Sequence, residues 1–245
     1  MKGIILAGGA GTRLKPLTLV TSKQLLPVYN RPMIFYPLET LIQAGIKDIL
    51  IIVAPDRAGD FLRVLGSGKE FNAKFTYEIQ ERPEGLAQAF IIGETFIGRD
   101  SVSMILGDNI FFDDRQQIRQ GVKSFKRGAR VYAKKVSDPE RYGVVEFTKN
   151  MRAKGIVEKP KVPRSTYAVT GLYTYDNRVV ELTKSLKPSP RGELEITDLN
   201  NIYLHRRLLD VKIFEGEWLD TGTFDSLLLA NTVAAERLRG KTIAV

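Results

Sequence analysis

The chain predicts an α/β fold built on a mostly parallel central sheet, with an antiparallel patch in its second half. Three observations predict it. Up to Lys135, short apolar runs alternate with segments of helical period, as strands and crossover helices do. A glycine-rich loop follows the first apolar run at once, at the strand end where parallel sheets place their ligands. After Lys135 the alternation gives way to three strand candidates with little helix between them. The 245 residues, 43% of them apolar, are read as a single domain over 1–245, since no linker, repeat or low-complexity stretch interrupts them.

In order, Ile4-Ile5-Leu6 within Gly3–Ala7 is the kind of run a buried parallel strand needs, and Gly8, Gly9 and Gly11 then permit a sharp turn. Met33–Ala44 has helical spacing of Ile34, Leu38, Leu41 and Ile42 and is stopped by Gly45. Strands are predicted at Asp48–Val53, Lys74–Gln80, Val102–Leu106 and Ala129–Lys135, with helices at Gly59–Leu65, Leu86–Thr95 and Ile118–Phe125. Gly143–Phe147, Met151–Glu158 and Tyr167–Tyr175 form the antiparallel patch. Helices follow at Val179–Ser185 and Ile196–Arg206, a strand at Leu208–Phe214, a turn at Trp218–Gly222 and a closing helix at Thr223–Arg239.

The glycine loop faces uncompensated positive charge. Arg13 and Lys23 come next, and the first carboxylate of the chain is Glu39, so the loop reads as a seat for a polyphosphate. It lacks the Gly-Lys-Ser/Thr ending of a P-loop. It also fails the dinucleotide pattern, because Leu14 stands where the third glycine belongs and Asp48–Val53 runs into Ala54-Pro55 instead of an acid. A plain glycine turn with surface cations is the competing reading. Gln80 and Asp108 also fall at strand ends, on the same edge of the predicted sheet as the loop.

Composition removes whole classes of chemistry. With no cysteine and a single histidine, His205 beside Arg206-Arg207 near a helix end, thiol nucleophiles, triads and histidine-rich metal sites are excluded. No apolar run is long enough for a membrane span and no signal pattern opens the chain, so a cytoplasmic protein with no membrane partner is expected. The net charge of +9 raises nucleic acid as a partner, but the densest run, Lys123–Arg130 with Lys134-Lys135, has little aromatic interleaving and reads as a solvated face; no nucleic acid is expected. The remaining reagents are carboxylates, cations and backbone. Asp108 in Gly-Asp-Asn and Asp220 in Trp-Leu-Asp-Thr-Gly are either turn residues or, if they meet in space, a pair suited to Mg²⁺. Glu158-Lys159 is either a salt-bridged strand end or a sugar-hydroxyl and phosphate pair, and Thr197 or Asp198 could simply cap a helix.

Taken together, Leu6-Ala-Gly-Gly-Ala-Gly-Thr-Arg-Leu14, Ser22-Lys-Gln-Leu-Leu-Pro27, Gly85-Leu-Ala-Gln-Ala89, Leu106-Gly-Asp-Asn109, Asp138-Pro-Glu-Arg-Tyr-Gly-Val-Val145, Glu158-Lys-Pro160, Tyr167-Ala-Val-Thr-Gly171, Arg191-Gly-Glu-Leu-Glu-Ile-Thr-Asp198 and Trp218-Leu-Asp-Thr-Gly222 carry a resemblance. The chain resembles the sugar-phosphate nucleotidyltransferase family, and within it the glucose-1-phosphate thymidylyltransferases. The first motif alone is similar to the wider family; the full set, in order over nearly the whole chain, is specific.

The resemblance implies a Rossmann-like sheet of the glycosyltransferase-A-like kind, with a nucleotide-binding part over about 1–135, a sugar-phosphate part over about 136–225 and a closing helix over about 223–239. By the same resemblance Leu6, Gly8, Gly9, Gly11, Thr12, Arg13, Gln80 and Gly85 bind the nucleotide, and Asn109, Tyr142, Gly143, Glu158, Lys159, Val169 and Trp218 surround the sugar phosphate. Asp108 and Asp220 hold Mg²⁺, and Arg13, Lys23 and Lys159 are catalytic. The implied partners are dTTP and glucose 1-phosphate, giving dTDP-glucose for deoxysugar pathways such as rhamnose synthesis, in a homo-oligomer. Two departures stand out: Glu84 where close relatives carry Asp, and Phe112-Asp113-Asp114 in place of a Tyr-Gly-His type segment. Longer relatives continue into a helical extension that helps form a regulatory site, so with Val245 as the last residue little inhibition by dTDP-rhamnose is expected. A uridylyltransferase and a non-catalytic sugar-nucleotide sensor are the alternative functions.

Overall fold

The structure, a computed structural model, describes residues 1–239. The first strand, β1 (Lys2–Ala7), leads through three short 3-10 turns to a small hairpin, β2 (Pro27–Val28) and β3 (Arg31–Pro32). Then come α1 (Phe35–Gln43), β4 (Asp48–Val53), α2 (Ala58–Leu65), β5 (Lys74–Ile79), α3 (Gln88–Ile92), α4 (Glu94–Ile97), β6 (Val102–Leu106) and β7 (Asn109–Phe112). The second half runs α5 (Arg115–Ser124), β8 (Ala129–Lys135), β9 (Gly143–Phe147), β10 (Ala153–Glu158), β11 (Tyr167–Tyr175), α6 (Val179–Lys184), α7 (Ile196–His205), β12 (Leu209–Ile213), β13 (Glu217–Asp220) and α8 (Phe224–Leu238).

Nine strands form one sheet, ordered β10-β9-β11-β6-β1-β4-β5, with β8 and β12 joined to β11's other edge. Its direction is mostly parallel. β6, β1, β4 and β5 pair in parallel, and β8, β12 and β9 point the same way; only β11 and β10 run against them. The predicted antiparallel patch is therefore β9, β10 and β11, with the bounds of β9 and β11 as expected and β10 starting two residues later.

The strands that carry the fold are apolar on both faces because helices cover both. Ile4, Leu6, Leu50 and Ile52 point into a layer with Phe90, Val179, Leu199 and Tyr203 of α3, α6 and α7. Ile5, Ile49, Ile51 and Val53 point the other way, against Leu38 and Leu41 of α1, Phe61 of α2 and Ile118 of α5. Each fully buried aliphatic side chain here is worth about 1.5–3 kcal/mol relative to exposure. A third cluster seats α8, through Leu227, Ala230 and Ala234, on Leu14, Val28, Met33, Ile110 and Leu219. Thr223 caps α8 in a capping box with Ser226.

Three expectations need correction. Trp218–Gly222 is not simply a turn: its first part lies in β13, which pairs antiparallel with β7, a strand the apolar pattern did not reveal. The predicted helix Leu86–Thr95 is two short helices that break at Gly93. Neither Thr197 nor Asp198 caps α7; the capping position is Glu195, and it makes no side-chain cap. Among the described residues, no helix is long and apolar enough to cross a membrane.

Candidate active site

A cleft of about 600 Å³ opens at the carboxyl ends of β1, β5 and β6, on the side where β11 leaves β6 for β9. β11 pairs with β6 along Leu172–Tyr175 but with β9 at Ala168, and Val169 and Gly171 between these pairings line the cleft. Of the residues predicted for the site, Leu6, Gly9, Arg13, Lys23, Gln80, Gly85, Asp108, Asn109, Tyr142, Gly143, Glu158, Lys159, Val169, Trp218 and Asp220 all face it. Gly8, Gly11 and Thr12 do not line it and instead shape the loop beneath. A Cβ on Gly8 would overlap the Gln80 amide oxygen, and Gly11 has φ +60° with its Cα 's missing Cβ position 2.9 Å from Thr18 and 3.1 Å from Lys23. His205 is in the last turn of α7, outside the cleft.

The glycine loop is fastened from below. Leu14 is fully buried, and Thr18 donates its hydroxyl to Gly11 O at 2.9 Å. Arg13 remains exposed and lies over Gly222, where an added Cβ would come within 2.7 Å of the guanidinium. Among the described residues Arg13 makes no ion pair. Lys23 is the loop's inner cation, paired with Asp108, and both side chains are only 12% and 13% exposed.

The β7–β13 pairing places Asp220 opposite Asn109, and thus beside Asp108. Thr221 ties the two strands at this point, its backbone N–H and hydroxyl both donating to Asp108 O, at 3.0 and 2.6 Å. The carboxylates are held unequally. Burial alone would raise Asp108, but the Lys23 ammonium and hydrogen bonds from Lys23 and Asn109 outweigh it and hold its carboxyl below the ordinary range. Asp220 is pushed up to about 6, first by burial and then by the charge of Asp108, against the pull of Lys23, Arg13 and Arg141. Among the described residues no third Asp, Glu or His joins them. Two adjacent carboxylates with no further protein ligand are a donor set that fits a hard divalent cation completed by substrate oxygens and water.

Arg141 was not singled out by sequence. Its guanidinium bonds Asp138 at 2.6 Å and comes within 3.5 Å of Asp220, and its Nη2 is buried without a hydrogen-bond acceptor among the described residues. It also lies 5.3 Å from the Tyr142 ring centroid. Tyr142 meets Trp218 edge-on at 5.2 Å, and burial first, then the charge of Asp220, pushes its hydroxyl up to about 12.

At one end of the cleft the polar groups are all oriented by partners. Asn109 Oδ1 accepts from Trp218 Nε1 at 2.7 Å and from Gly171 N at 3.0 Å, which leaves its amide nitrogen directed to Asp108 at 3.2 Å. Glu158 accepts from Thr197 Oγ1 at 2.5 Å and from Arg191 at 3.4 Å. Arg191 is itself clamped by Glu195 at 2.8 Å. Lys159, in the left-handed region at φ +41°, donates its backbone N–H to Tyr142 O at 2.9 Å and keeps its ammonium 3.8 Å from Glu158. Thr197 was read as a possible helix cap, and Arg191 and Glu195 only as part of the motif Arg191–Asp198, with no role at the site. The available signal was the charge of Arg191, Glu193 and Glu195 immediately before α7, which a cap does not require.

At the other end Gln80, only 4% exposed, is fixed by its backbone N–H on Val53 O and by its side chain on Gln88. The loop Glu81–Gly85 carries the chain over it. The cleft thus combines a buried amide at Gln80, cations around two carboxylates, and polar groups at Glu158 and Asn109 whose orientations are fixed by their partners.

The nucleotidyl transferase family model matches residues 2–237. A glucose-1-phosphate thymidylyltransferase of Neisseria meningitidis is 57% identical over 231 residues, covering 93% of this chain and 80% of the relative. One of Mycolicibacterium smegmatis is 53% identical over 235 residues, covering 94% and 81%. Among solved structures, a Bacillus anthracis protein in complex with a sucrose superposes with a TM-score of 0.91 at 48% identity, over 99% of this chain and 97% of that one. A UDP-glucose pyrophosphorylase complexed with UDP-glucose is similar at a TM-score of 0.84 and 25% identity, over 96% and 98%.

Proposed function

This chain belongs to the nucleotidyl transferase family, and we propose that its cleft transfers a deoxythymidylyl group from dTTP to glucose 1-phosphate, giving dTDP-glucose and pyrophosphate. The observation that carries the reading is one cleft running across the sheet in strand order, from Gln80 after β5, past the glycine loop after β1 and Asp108-Asn109 after β6, to Gly143 of β9 and Glu158 of β10. That order matches base, phosphates and sugar in sequence. The named activity of three relatives supports it over 92–94% of the chain.

The chemistry needs little beyond charge and position. A phosphate oxygen of glucose 1-phosphate attacks the α-phosphorus of dTTP, and pyrophosphate leaves on the opposite side. The nucleophile is already an anion at neutral pH, so no general base is required. The obstacle is the repulsion between two anions. Arg13 and Lys23 meet the triphosphate, Lys159 and Arg191 meet the sugar phosphate, and the buried open N–H of Arg141 lies between them. Preorganised cations of this kind are each worth about 3–4 kcal/mol in the transition state. Asp108 and Asp220 would hold Mg²⁺, which when bound neutralises charge on the transferring phosphate. Glu158, its orientation fixed by Thr197 and Arg191, accepts sugar hydroxyls, and Asn109 fixes the sugar's other edge through Trp218.

A second reading, UTP as donor, is supported by the likeness to a UDP-glucose pyrophosphorylase, since an amide at Gln80 pairs equally with uracil. A methyl group alone discriminates by about 1–3 kcal/mol. Pyrophosphate release from the purified protein with glucose 1-phosphate and Mg²⁺ decides the matter, with dTTP, UTP or ATP supplied in turn. The expected order is dTTP, then UTP at a lower rate, then ATP near background. No pyrophosphate from any donor, or ATP used as well as dTTP, overturns the proposal.

A further inference from the structure

We propose that Gln88, anchored by Glu84, is a positioning residue that locks the Gln80 amide in the orientation that accepts an N–H, and thereby selects thymine over cytosine. The inference rests on Gln80 facing the base, as in the function proposed above.

Three side chains form a directed chain of hydrogen bonds that ends at the Gln80 amide. Gln80 Nε2 donates to Gln88 Oε1 at 2.7 Å, and Gln88 Nε2 donates to Glu84 Oε2 at 2.8 Å. The backbone N–H of Glu84 also donates to Gln88 Oε1, at 3.2 Å. An amide in isolation can be turned over with little change in shape, exchanging its oxygen and nitrogen. Here the direction is set from outside. A carboxylate can only accept and a backbone N–H can only donate, so Glu84 admits one orientation of Gln88 and opposes the reverse at both of its atoms. Gln88 then presents oxygen to Gln80, and Gln80 must answer with nitrogen. Its own oxygen is left on the side of Gly8, where there is no room for a Cβ.

The consequence is chemical. At the edge formed by N3 and C4, thymine offers a donor at N3 and an acceptor at O4, and cytosine offers the reverse. A locked Gln80, with an accepting oxygen and a spare N–H, pairs with the thymine edge. Only a reversed amide would pair with cytosine. Without Gln88 the Gln80 amide is free to reverse, and the site loses its preference while retaining its shape. Gln88 lies at the start of α3 and is absent from the lining of the cleft, so it acts through Gln80 and not on the base.

The test is competition between dTTP and 5-methyl-dCTP, which differ only at N3 and C4, with sugar-nucleotide products counted by mass spectrometry. In Gln88→Met, of similar length but without an amide, the ratio of kcat/KM values should fall about tenfold or more. General damage to the fold would lower both substrates together and leave the ratio intact. The exchanged pair Gln88→Glu with Glu84→Gln reverses the bond between those two side chains but still presents an acceptor to Gln80 Nε2 and to the backbone N–H of residue 84, and it should retain the wild-type ratio. An unchanged ratio in Gln88→Met, with a collapsed ratio in Gln80→Ala, overturns the lock and leaves Gln80 as base reader. An unchanged ratio in Gln80→Ala removes the base reading itself, and the lock with it. A collapsed ratio in the exchanged pair also overturns the lock.

Discussion

Replacing Asp220 by asparagine should stabilise the free protein at neutral and higher pH while abolishing its activity. Burial and the neighbouring charge of Asp108 raise the Asp220 carboxyl from 3.8 to about 6. Between these values the folded chain holds a proton that the unfolded chain has lost. Stability therefore falls as pH rises from about 4 through about 6 and levels off above, the sign expected for a carboxyl raised on folding. The full difference corresponds to about 3 kcal/mol. Asparagine cannot ionise and does not carry this penalty. Packing differences between Asp and Asn are common to all pH values, so the informative quantity is the change with pH. Urea unfolding of both proteins, without ligand or metal, at about pH 4.5 and about pH 8 should show the variant's advantage growing by about 2 kcal/mol toward the higher pH, since about 1 kcal/mol of the penalty is already present at about pH 4.5. Over the same range Mg²⁺-dependent turnover should be lost, because one of two carboxylates for the cation is gone. An advantage that stays constant with pH, or grows toward acid, refutes the unequal carboxylate pair.

Lys23→Ala should combine two losses, a large fall in kcat and a destabilisation of about 3 kcal/mol or more, since it leaves Asp108 buried without its cation. In an Asp108→Asn background the stability cost should largely vanish in a double-mutant cycle of unfolding free energies, and a cost that persists means the pair is not coupled. His205→Ala should leave kcat unchanged, because the nucleophile needs no base and the side chain lies outside the cleft; a steady-state assay showing a large fall with stability intact contradicts the mechanism.

What the sequence made legible was what apolar periodicity and local turn chemistry encode. The apolar run Ile49–Val53 announces a strand buried on both faces, and β4 has the predicted bounds Asp48–Val53. Gly45 follows the end of α1 as expected, and Gly66 caps α2. What escaped was pairing between distant segments. Asn109–Phe112 follows a Gly-Asp-Asn turn and Glu217–Asp220 is too short to show alternation, yet their pairing is what brings Asp220 beside Asp108. No local pattern carries that register, because its cause is the shared burial of Ile110 and Leu219 under α8. The orienting residues were hidden for a different reason. Arg141, Gln88 and Thr197 are polar residues in loops or first helical turns, where solvation and capping are their usual uses. Only their partners, Asp138, Gln80 and Glu158, distinguish them.

The central claim is that the phosphate of glucose 1-phosphate attacks the α-phosphorus directly, in line and in one step, with no covalent nucleotidyl-protein intermediate. The stereochemical course at that phosphorus tests it most directly. With dTTP carrying a single sulfur of known configuration on the α-phosphate, one displacement gives dTDP-glucose of inverted configuration, and inversion is the predicted result. Retention would require two displacements through a covalent nucleotidyl-protein intermediate and would contradict the account.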